Sequence, residues 1–333
     1  MRREHQLWNI KKSHMNIIEN EKIRLLVKEL DLIPIIKNAF IAYSEGKTTV
    51  PPVAELSFSD PPGDVHIKYG YMEGSEFFVV KIASSFPENE KLGILNGQGM
   101  MTLFKMETGM IEAILLDDAY LTDVRTAVAG AIVAETFSNE ISTIGVLGTG
   151  LQARMQAIYL KYVTSCRKII NWGRNKKKME IYKQDMEEEG FEVELRVSPA
   201  DVARVCNFIV TTTSSENPLL SIKDIKPGTH ITAVGADTLT KQELNTDILK
   251  KANLVVGDSL SQCKIRGEIS HGLSSGEITE NDVRELGDVL KGGKSGRSSK
   301  TEITVVDLTG VAVQDLSIAN AVYNHFRLKK NEI

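Results

Sequence analysis

Six consecutive residues, Gly148-Thr149-Gly150-Leu151-Gln152-Ala153, form a GxGxxA pattern directly after the apolar run Ile144-Gly145-Val146-Leu147. Each small residue has a chemical reason to be there. Gly148 permits a tight turn, Gly150 lets a pyrophosphate approach the backbone, and Ala153 lets the next helix pack closely on the strand. The start of that helix supplies N–H donors and the positive end of its dipole. Such a motif alone is a weak signal, but here a strand precedes it, a helix follows, and a second strand is expected at Ile169–Trp172. The pattern predicts a dinucleotide, NAD(H) or NADP(H), held by Gly148, Thr149, Gly150, Leu151 and Gln152. About 20 residues beyond the glycines such sites carry an acid for the adenine ribose. This chain has Asn171-Trp172-Gly173-Arg174-Asn175-Lys176-Lys177 instead, with no carboxylate. Arg174 suits a 2′-phosphate or the adenine face, and serves equally as a solvated helix start. Both cofactors therefore stay open.

Other motif matches carry less. Gly272-Leu273-Ser274-Ser275-Gly276 fits the GxSxG of hydrolases, but polar residues precede it where a strand is required. Gly293-Lys294-Ser295 has Asp288 where a P-loop needs its upstream glycine. It belongs to a glycine- and serine-rich patch, Gly292–Ser299, that reads as a mobile loop. The six histidines have no metal-ligand spacing, and Cys166, Cys206 and Cys263 form no CxxC pair. Neither a metal nor a disulfide framework is expected.

The elements that must position the glycine turn alternate. Strand patterns at Lys168–Trp172, Glu192–Val197, Phe208–Thr212, His230–Val234, Leu254–Gly257 and Ile303–Leu308 are separated by helical stretches such as Lys176–Glu189. That alternation predicts a parallel, doubly wound Rossmann-type sheet. A helix of small residues, Thr126–Phe137, leads into it. The earlier chain differs: helical spacing from Asn20 to Tyr43, with Pro34 opening a second helix, then strand runs at Val65–Tyr71, Phe77–Ile82, Met100–Phe104 and Ile111–Leu116. This predicts an α+β domain, to which a last helix from Val313 to Leu328 returns. The expected division is 1–125 plus 314–333 for the α+β domain and 126–313 for the dinucleotide-binding domain inserted into it.

Composition narrows the class further. With 333 residues, 42% hydrophobic and 25% charged, the chain has the balance of a globular protein with two cores. Its net charge of −4 provides no basic field for nucleic acid. No stretch approaches the ~18 apolar residues of a membrane span. Residues 1–14 are basic without the apolar core of a signal peptide and read as a loose extension. A cytoplasmic location is the expectation.

At this point the chain resembles the ornithine cyclodeaminase/μ-crystallin family from about Lys22 to Phe326. The marks are Val80-Lys81-Ile82, Leu121-Thr122-Asp123-Val124-Arg125-Thr126-Ala127, the glycine turn, Pro227–Asp237 and Asp307–Asp315. The resemblance implies a Rossmann domain inserted into an α+β domain that binds substrate and forms a homodimer. It implies a small amino or imino acid as substrate, with Lys81 and Arg125 as cations for its carboxylate. Asp237 would handle protons at the reacting carbon and nitrogen, with Lys241 on the cofactor side. Leu308 and Thr309 would line the nicotinamide and substrate pocket. Thr212 and Thr213 would lie beside the cofactor ribose, and Val234 falls in the strand that leads to Asp237. The chemistry agrees, because a carboxylate calls for a guanidinium fork and a point charge.

One departure bears on the substrate. Cyclodeaminases of this family carry a glutamate thirteen residues before the pocket lysine; counting back from Lys81 gives Lys68. The arginine usual just after the proline of the preceding segment is also missing, since Val53-Ala54-Glu55 follows Pro51-Pro52. Like charges ~4 Å apart cost roughly 4 kcal/mol at an effective dielectric near 20, so Lys68 would repel a diamino acid's terminal ammonium. It would welcome a second carboxylate, or replace the missing arginine at a single shared one. The expectation is a reductase or dehydrogenase of an acidic imino or amino acid of the iminosuccinate/aspartate kind. The alternatives are a cyclodeaminase and a non-catalytic, crystallin-like binder.

Overall fold

The structure, a computed structural model, describes residues 15–292 and 296–331. The leader 1–14 and Gly293-Lys294-Ser295 of the glycine-serine patch lie outside the described residues. Two units emerge: one holds the described residues of Met1–Leu30, Thr49–Leu121 and Asp315–Ile333, the other Asp31–Thr48 and Thr122–Gln314.

The first unit is built on β1 (Asn16–Glu19), β2 (Thr48–Thr49), β3 (Ala54–Ser59), β4 (Pro62–Met72), β5 (Phe77–Ser85), β6 (Gly97–Lys105) and β7 (Ile111–Leu116). The sheet order is β1-β7-β6-β5-β4-β2, with β3 also paired to β4. β1 runs parallel to β7, and β3 through β7 pair antiparallel. On β5, Phe77, Val79 and Lys81 are buried in alternation, as a half-buried strand requires. A lysine thus occupies a core-facing position. The helix α1 (Asn20–Val27) follows β1 directly and buries Ile23, Leu26 and Val27. The last helix, Ala312–Asn331, contributes Tyr323, which meets Phe77 edge-on at 5.4 Å and donates to Glu112 Oε1 at 2.6 Å.

The second unit holds α2 (Leu32–Ser44), most of α3 (Tyr120–Phe137), and an eight-stranded sheet. Its strands are β8 (Ile144–Leu147), β9 (Lys168–Trp172), β10 (Glu192–Leu195), β11 (Phe208–Thr211), β12 (His230–Ala233), β13 (Leu254–Gly257), β14 (Val283–Glu285) and β15 (Thr304–Asp307). Between them lie α4 (Leu151–Leu160), α5 (Lys176–Glu188), α6 (Pro199–Ala203), α7 (Thr246–Lys251), α8 (Leu260–Cys263), α9 (Glu268–Ser274) and α10 (Leu286–Lys291); α11 (Ala312–Asn331) closes the chain. Every pairing is parallel, in the order β10-β9-β8-β11-β12-β15-β13-β14. Five strands, β8, β11, β12, β13 and β15, are buried at every residue, the mark of a parallel sheet covered on both faces. The strand order reverses between β8 and β11, where doubly wound sheets bind ligands beyond the strands' carboxyl ends. This is the Rossmann-type arrangement expected.

Two expectations need correction. Asp31–Thr48, placed with the α+β domain by the sequence, group with the second unit. The reason is α2's seat on α10: a Cβ on Gly287 would lie 2.0 Å from the Phe40 carbonyl oxygen. Glu45 pairs with Lys291 at 2.6 Å, and the Tyr43 hydroxyl lies 2.7 Å from Ser259 Oγ. The helix expected at Thr126–Phe137 begins earlier, at Tyr120. Asp117 starts it, accepting the Leu121 N–H on its carboxylate at 2.8 Å and the Tyr120 N–H on its carbonyl. Arg125 therefore stands inside a helix.

Candidate functional site

The glycine turn sits at the carboxyl end of β8. Gly148 has φ +125°, and a Cβ there would lie 2.4 Å from Thr212 Oγ1, so only glycine fits. Buried Asn171 on β9 braces the turn, donating from its amide to the carbonyls of Val146 (3.1 Å) and Gly148 (2.8 Å). Gly150 precedes α4 with no side-chain cap, and a Cβ on it would meet nothing within 4 Å. Uncapped first-turn N–H groups facing open space are what a pyrophosphate needs, so the turn fits a dinucleotide. Leu151 and Gln152 are the first two residues of α4. The Gln152 amide turns instead to Asp123, 3.1 Å from Oδ1.

At the ribose end, β9 finishes at Trp172 and Thr149 packs on Gly173, where a Cβ would come within 2.6 Å of its methyl. Arg174 is exposed, one residue ahead of Asn175, whose side chain accepts the Lys178 N–H and caps α5. Thr212 closes on the turn from β11, its hydroxyl donating to the Leu147 carbonyl at 3.1 Å. The next residue, Thr213, donates its N–H to Glu243 Oε1 at 2.6 Å.

Beyond β12, buried Val234 leads to Gly235, whose N–H donates to the other oxygen of Glu243 at 3.0 Å. In the loop between Gly235 and Glu243, Lys241 Nζ lies 2.6 Å from Asp237 Oδ1. The two residues expected to handle protons and cofactor are thus partners. No helix begins at Asp237; the next is α7, capped by Asn245.

On α3, buried Arg125 donates to Gln314 Oε1 at 3.1 Å. Its guanidinium lies over Gly310, where a Cβ would come 2.8 Å from Nη1 and where φ is +82°. Leu308 and Thr309 are buried just before that glycine. The Thr309 hydroxyl donates to Asp258 Oδ1 at 2.8 Å and accepts from Gln262 Nε2 at 2.8 Å. It fixes the segment that carries Gly310.

In the first unit, Lys81 is 2% exposed and its Nζ lies 3.1 Å from Asp315 Oδ2. Lys68, 6% exposed, is the direct cross-strand partner of Lys81 in the β4–β5 register. Opposed residues share a face with Cβ atoms ~5 Å apart, so the two lysine side chains leave the sheet on the same side. Asp117 is buried in the same unit. Burial pushes its carboxyl up to about 6, opposed by the Leu121 N–H and the Lys81 charge.

Each unit therefore gathers its own share of the expected residues: Lys68 with Lys81 in one, the glycine turn, Thr212, Thr213, Asp237, Lys241, Arg125 and Thr309 in the other. Arg174 stands apart from any of these contacts. The sequence did not single out Glu243, Glu268, Asp258, Asp117, Gln314 or Asp315. The last two sit in the Asp307–Asp315 stretch and are adjacent in the chain, one holding Arg125 and the other Lys81. The GxSxG match lies at the end of α9 and its following turn, with no strand ahead of it. Among the described residues, no group of three or more His, Cys, Asp or Glu is placed to hold a metal. None of their helices is long and apolar enough to cross a membrane.

Known proteins were compared with this chain. An uncharacterized cyclodeaminase of Sinorhizobium fredii is 35% identical over 314 residues, covering 93% of this chain and 95% of its own. The structure of an archaeal alanine dehydrogenase dimer with bound NAD matches with a TM-score of 0.87 at 33% identity, covering 95% and 97% of the two chains. That of the iminosuccinate reductase of Paracoccus denitrificans with NAD+ matches at 0.85 and 28%, covering 96% and 98%. Residues 12–330 match the ornithine cyclodeaminase/mu-crystallin family.

Proposed function

Because the chain belongs to the ornithine cyclodeaminase/mu-crystallin family, we propose that it is an NAD(H)- or NADP(H)-dependent oxidoreductase of a small acidic amino or imino acid, of the iminosuccinate/aspartate kind. The NAD-bound alanine dehydrogenase and iminosuccinate reductase relatives support the reaction class and cofactor. The observation that carries the substrate reading is the register pairing of buried Lys68 with buried Lys81. Asp315 pairs with Lys81, and two buried cations on one face of the sheet favour a ligand that carries two carboxylates.

When bound, the reduced cofactor supplies hydride to the imine carbon. Arg125 offers a guanidinium fork to a carboxylate in the second unit, and Lys81 offers a point charge in the first. Lys68 takes the second carboxylate. Asp237 delivers the proton that the imine nitrogen gains, and its partner Lys241 holds it in place on the cofactor side. Leu308 and Thr309 line the nicotinamide and substrate pocket, with Val234, Thr212 and Thr213 along the cofactor. Gly148, Thr149, Gly150, Leu151 and Gln152 hold the pyrophosphate, and Arg174 flanks the adenine ribose.

The protein works as a homodimer through its first unit. β3 is exposed along its whole length, Leu56 and Phe58 included, which leaves apolar surface for a partner to cover. A monomer in sedimentation at micromolar concentration would overturn this.

A second reading, a cyclodeaminase, rests on the Sinorhizobium relative. The deciding experiment follows 340-nm absorbance with NADH and with NADPH across dicarboxylic imines, monocarboxylic imines and ornithine. Steady oxidation with a dicarboxylic imine is expected. Ammonia released from ornithine without net oxidation would establish the cyclodeaminase instead, and no reaction with any of them would leave a binding protein.

A further inference from the structure

Four carboxylates at the carboxyl edge of the second unit's sheet are buried: Glu243, Glu268, Asp258 and Asp307. None was assigned a role above. Three of them form a relay through the backbone. Glu268 accepts the N–H groups of Glu243 (2.7 Å) and Leu244 (3.1 Å), and Asp307 accepts that of Ile269 (2.9 Å). Glu268 and Asp307 thus fix the main chain on which Glu243 stands. Glu243 in turn spends one oxygen on the Thr213 N–H and the other on the Gly235 N–H. Gly235 is pressed so closely that a Cβ would lie 2.2 Å from the Thr213 carbonyl oxygen and 2.6 Å from Glu243 Oε2.

We propose that Glu243 is a positioning residue that staples together the loop after β11, which flanks the cofactor, and the loop that carries Asp237 and Lys241. The inference rests on the roles given to those two loops in the proposed function. Geometry makes the case. Gly235 and Glu243 are the two ends of the second loop, so one side chain closes that loop on itself and ties it to Thr213. A carboxylate can accept at both oxygens. A protonated carboxyl carries a hydrogen on one of them, which leaves that oxygen a poorer acceptor and weakens one of the two N–H ties.

The staple is therefore sensitive to pH. Burial pushes the Glu243 carboxyl up to about 7, opposed by the hydrogen-bond donors around it. The groups that face it are acidic: Glu268 from the start of α9 and Asp307 from the end of β15, with Asp258 behind Asp307. Burial holds Glu268 and Asp307 well above the usual carboxylate range, and each feels the charge of its acidic neighbours. As pH falls through about 7, Glu243 takes up its proton and one tie is weakened.

The test measures NADH affinity by fluorescence from pH 5.5 to 8.5, and amide hydrogen exchange over the same range corrected for the intrinsic pH effect. In the wild type, the NADH Kd should rise about tenfold on the acid side of a single step. Protection of the Thr213 or Gly235 N–H should fall in the same step. Glu243→Gln, which offers one acceptor oxygen, should hold the weaker affinity at every pH and lose the step. A Glu243→Gln profile that keeps the wild-type step overturns the proposal. Should that variant not fold, the wild-type exchange decides alone: equal corrected protection at pH 6 and pH 8 also overturns it. A wild type that binds neither NADH nor NADPH refutes the dinucleotide reading, while the exchange measurement still reads the staple.

Discussion

The two units bury charge in different ways. In the first, a buried lysine is answered by a buried aspartate, Lys81 by Asp315, with the Asp117 carboxyl close by. In the second, buried carboxylates are answered by main-chain N–H groups: Glu243 by Thr213 and Gly235, Glu268 by Glu243 and Leu244, Asp307 by Ile269, Asp258 by Gly310. Side-chain pairing sets a charge in place where a ligand's charge can join the balance. Main-chain pairing fixes loops. The first suits recognition of an anionic substrate, the second the alignment of cofactor and proton donor. A side-chain pair can also be removed from both ends, whereas nothing can be substituted for an N–H short of proline.

The contrast predicts its largest effect at Lys81. Lys81→Met leaves Asp315 buried without its cation, at a cost of about 3–5 kcal/mol in stability. Adding Asp315→Asn removes the orphaned charge, and thermal unfolding should show most of that loss recovered. The kcat/KM should not recover: both variants should remain a hundredfold or more below wild type, because the substrate carboxylate has lost its point charge. If activity returned with stability in the double variant, Lys81 would be part of the scaffold only. No second substitution is expected to repair Glu243→Gln in this way, because its partners are backbone.

Much of this arrangement was legible beforehand, and the physical reasons are local. β8, β11, β12, β13 and β15 announce themselves because strands buried on both faces are mostly apolar, and the glycine turn because its φ and its close contacts admit no side chain. Lys81 was singled out by the family resemblance carried by Val80-Lys81-Ile82. The buried carboxylates did not. Glu243, in Lys241-Gln242-Glu243-Leu244, looks like any solvated acid, since its distinction is the pair of N–H groups brought to it from Thr213 and Gly235. Asp31–Thr48 were misplaced for a similar reason: helical spacing in α2 says which face is apolar, not which partner will cover it. β1, β2, β3 and β14 were missed altogether. β1 has four residues, and β3 has strand alternation in Leu56 and Phe58 but no buried face to confirm it.

The smaller effect is expected at Lys68, and it bears on whether the first unit's charge balance reads one carboxylate or two. Lys68 and Lys81 face the same side of adjacent strands, and both are buried. If Lys68 receives a second carboxylate, Lys68→Ala loses a charge-assisted hydrogen bond worth about 1.5–3 kcal/mol. That is roughly a 10- to 150-fold fall in kcat/KM for a dicarboxylic imine. A monocarboxylic imine of similar size has nothing to place there and should lose much less. It could even gain, since one of two neighbouring positive charges is gone. Asp237→Asn gives the internal control, lowering kcat for both substrates because it removes a proton source rather than a binding contact. If Lys68→Ala weakens both substrates equally, Lys68 shares a single carboxylate with Lys81 and stands in for the arginine that this chain lacks. The first unit would then be a monocarboxylate reader with a doubled cation.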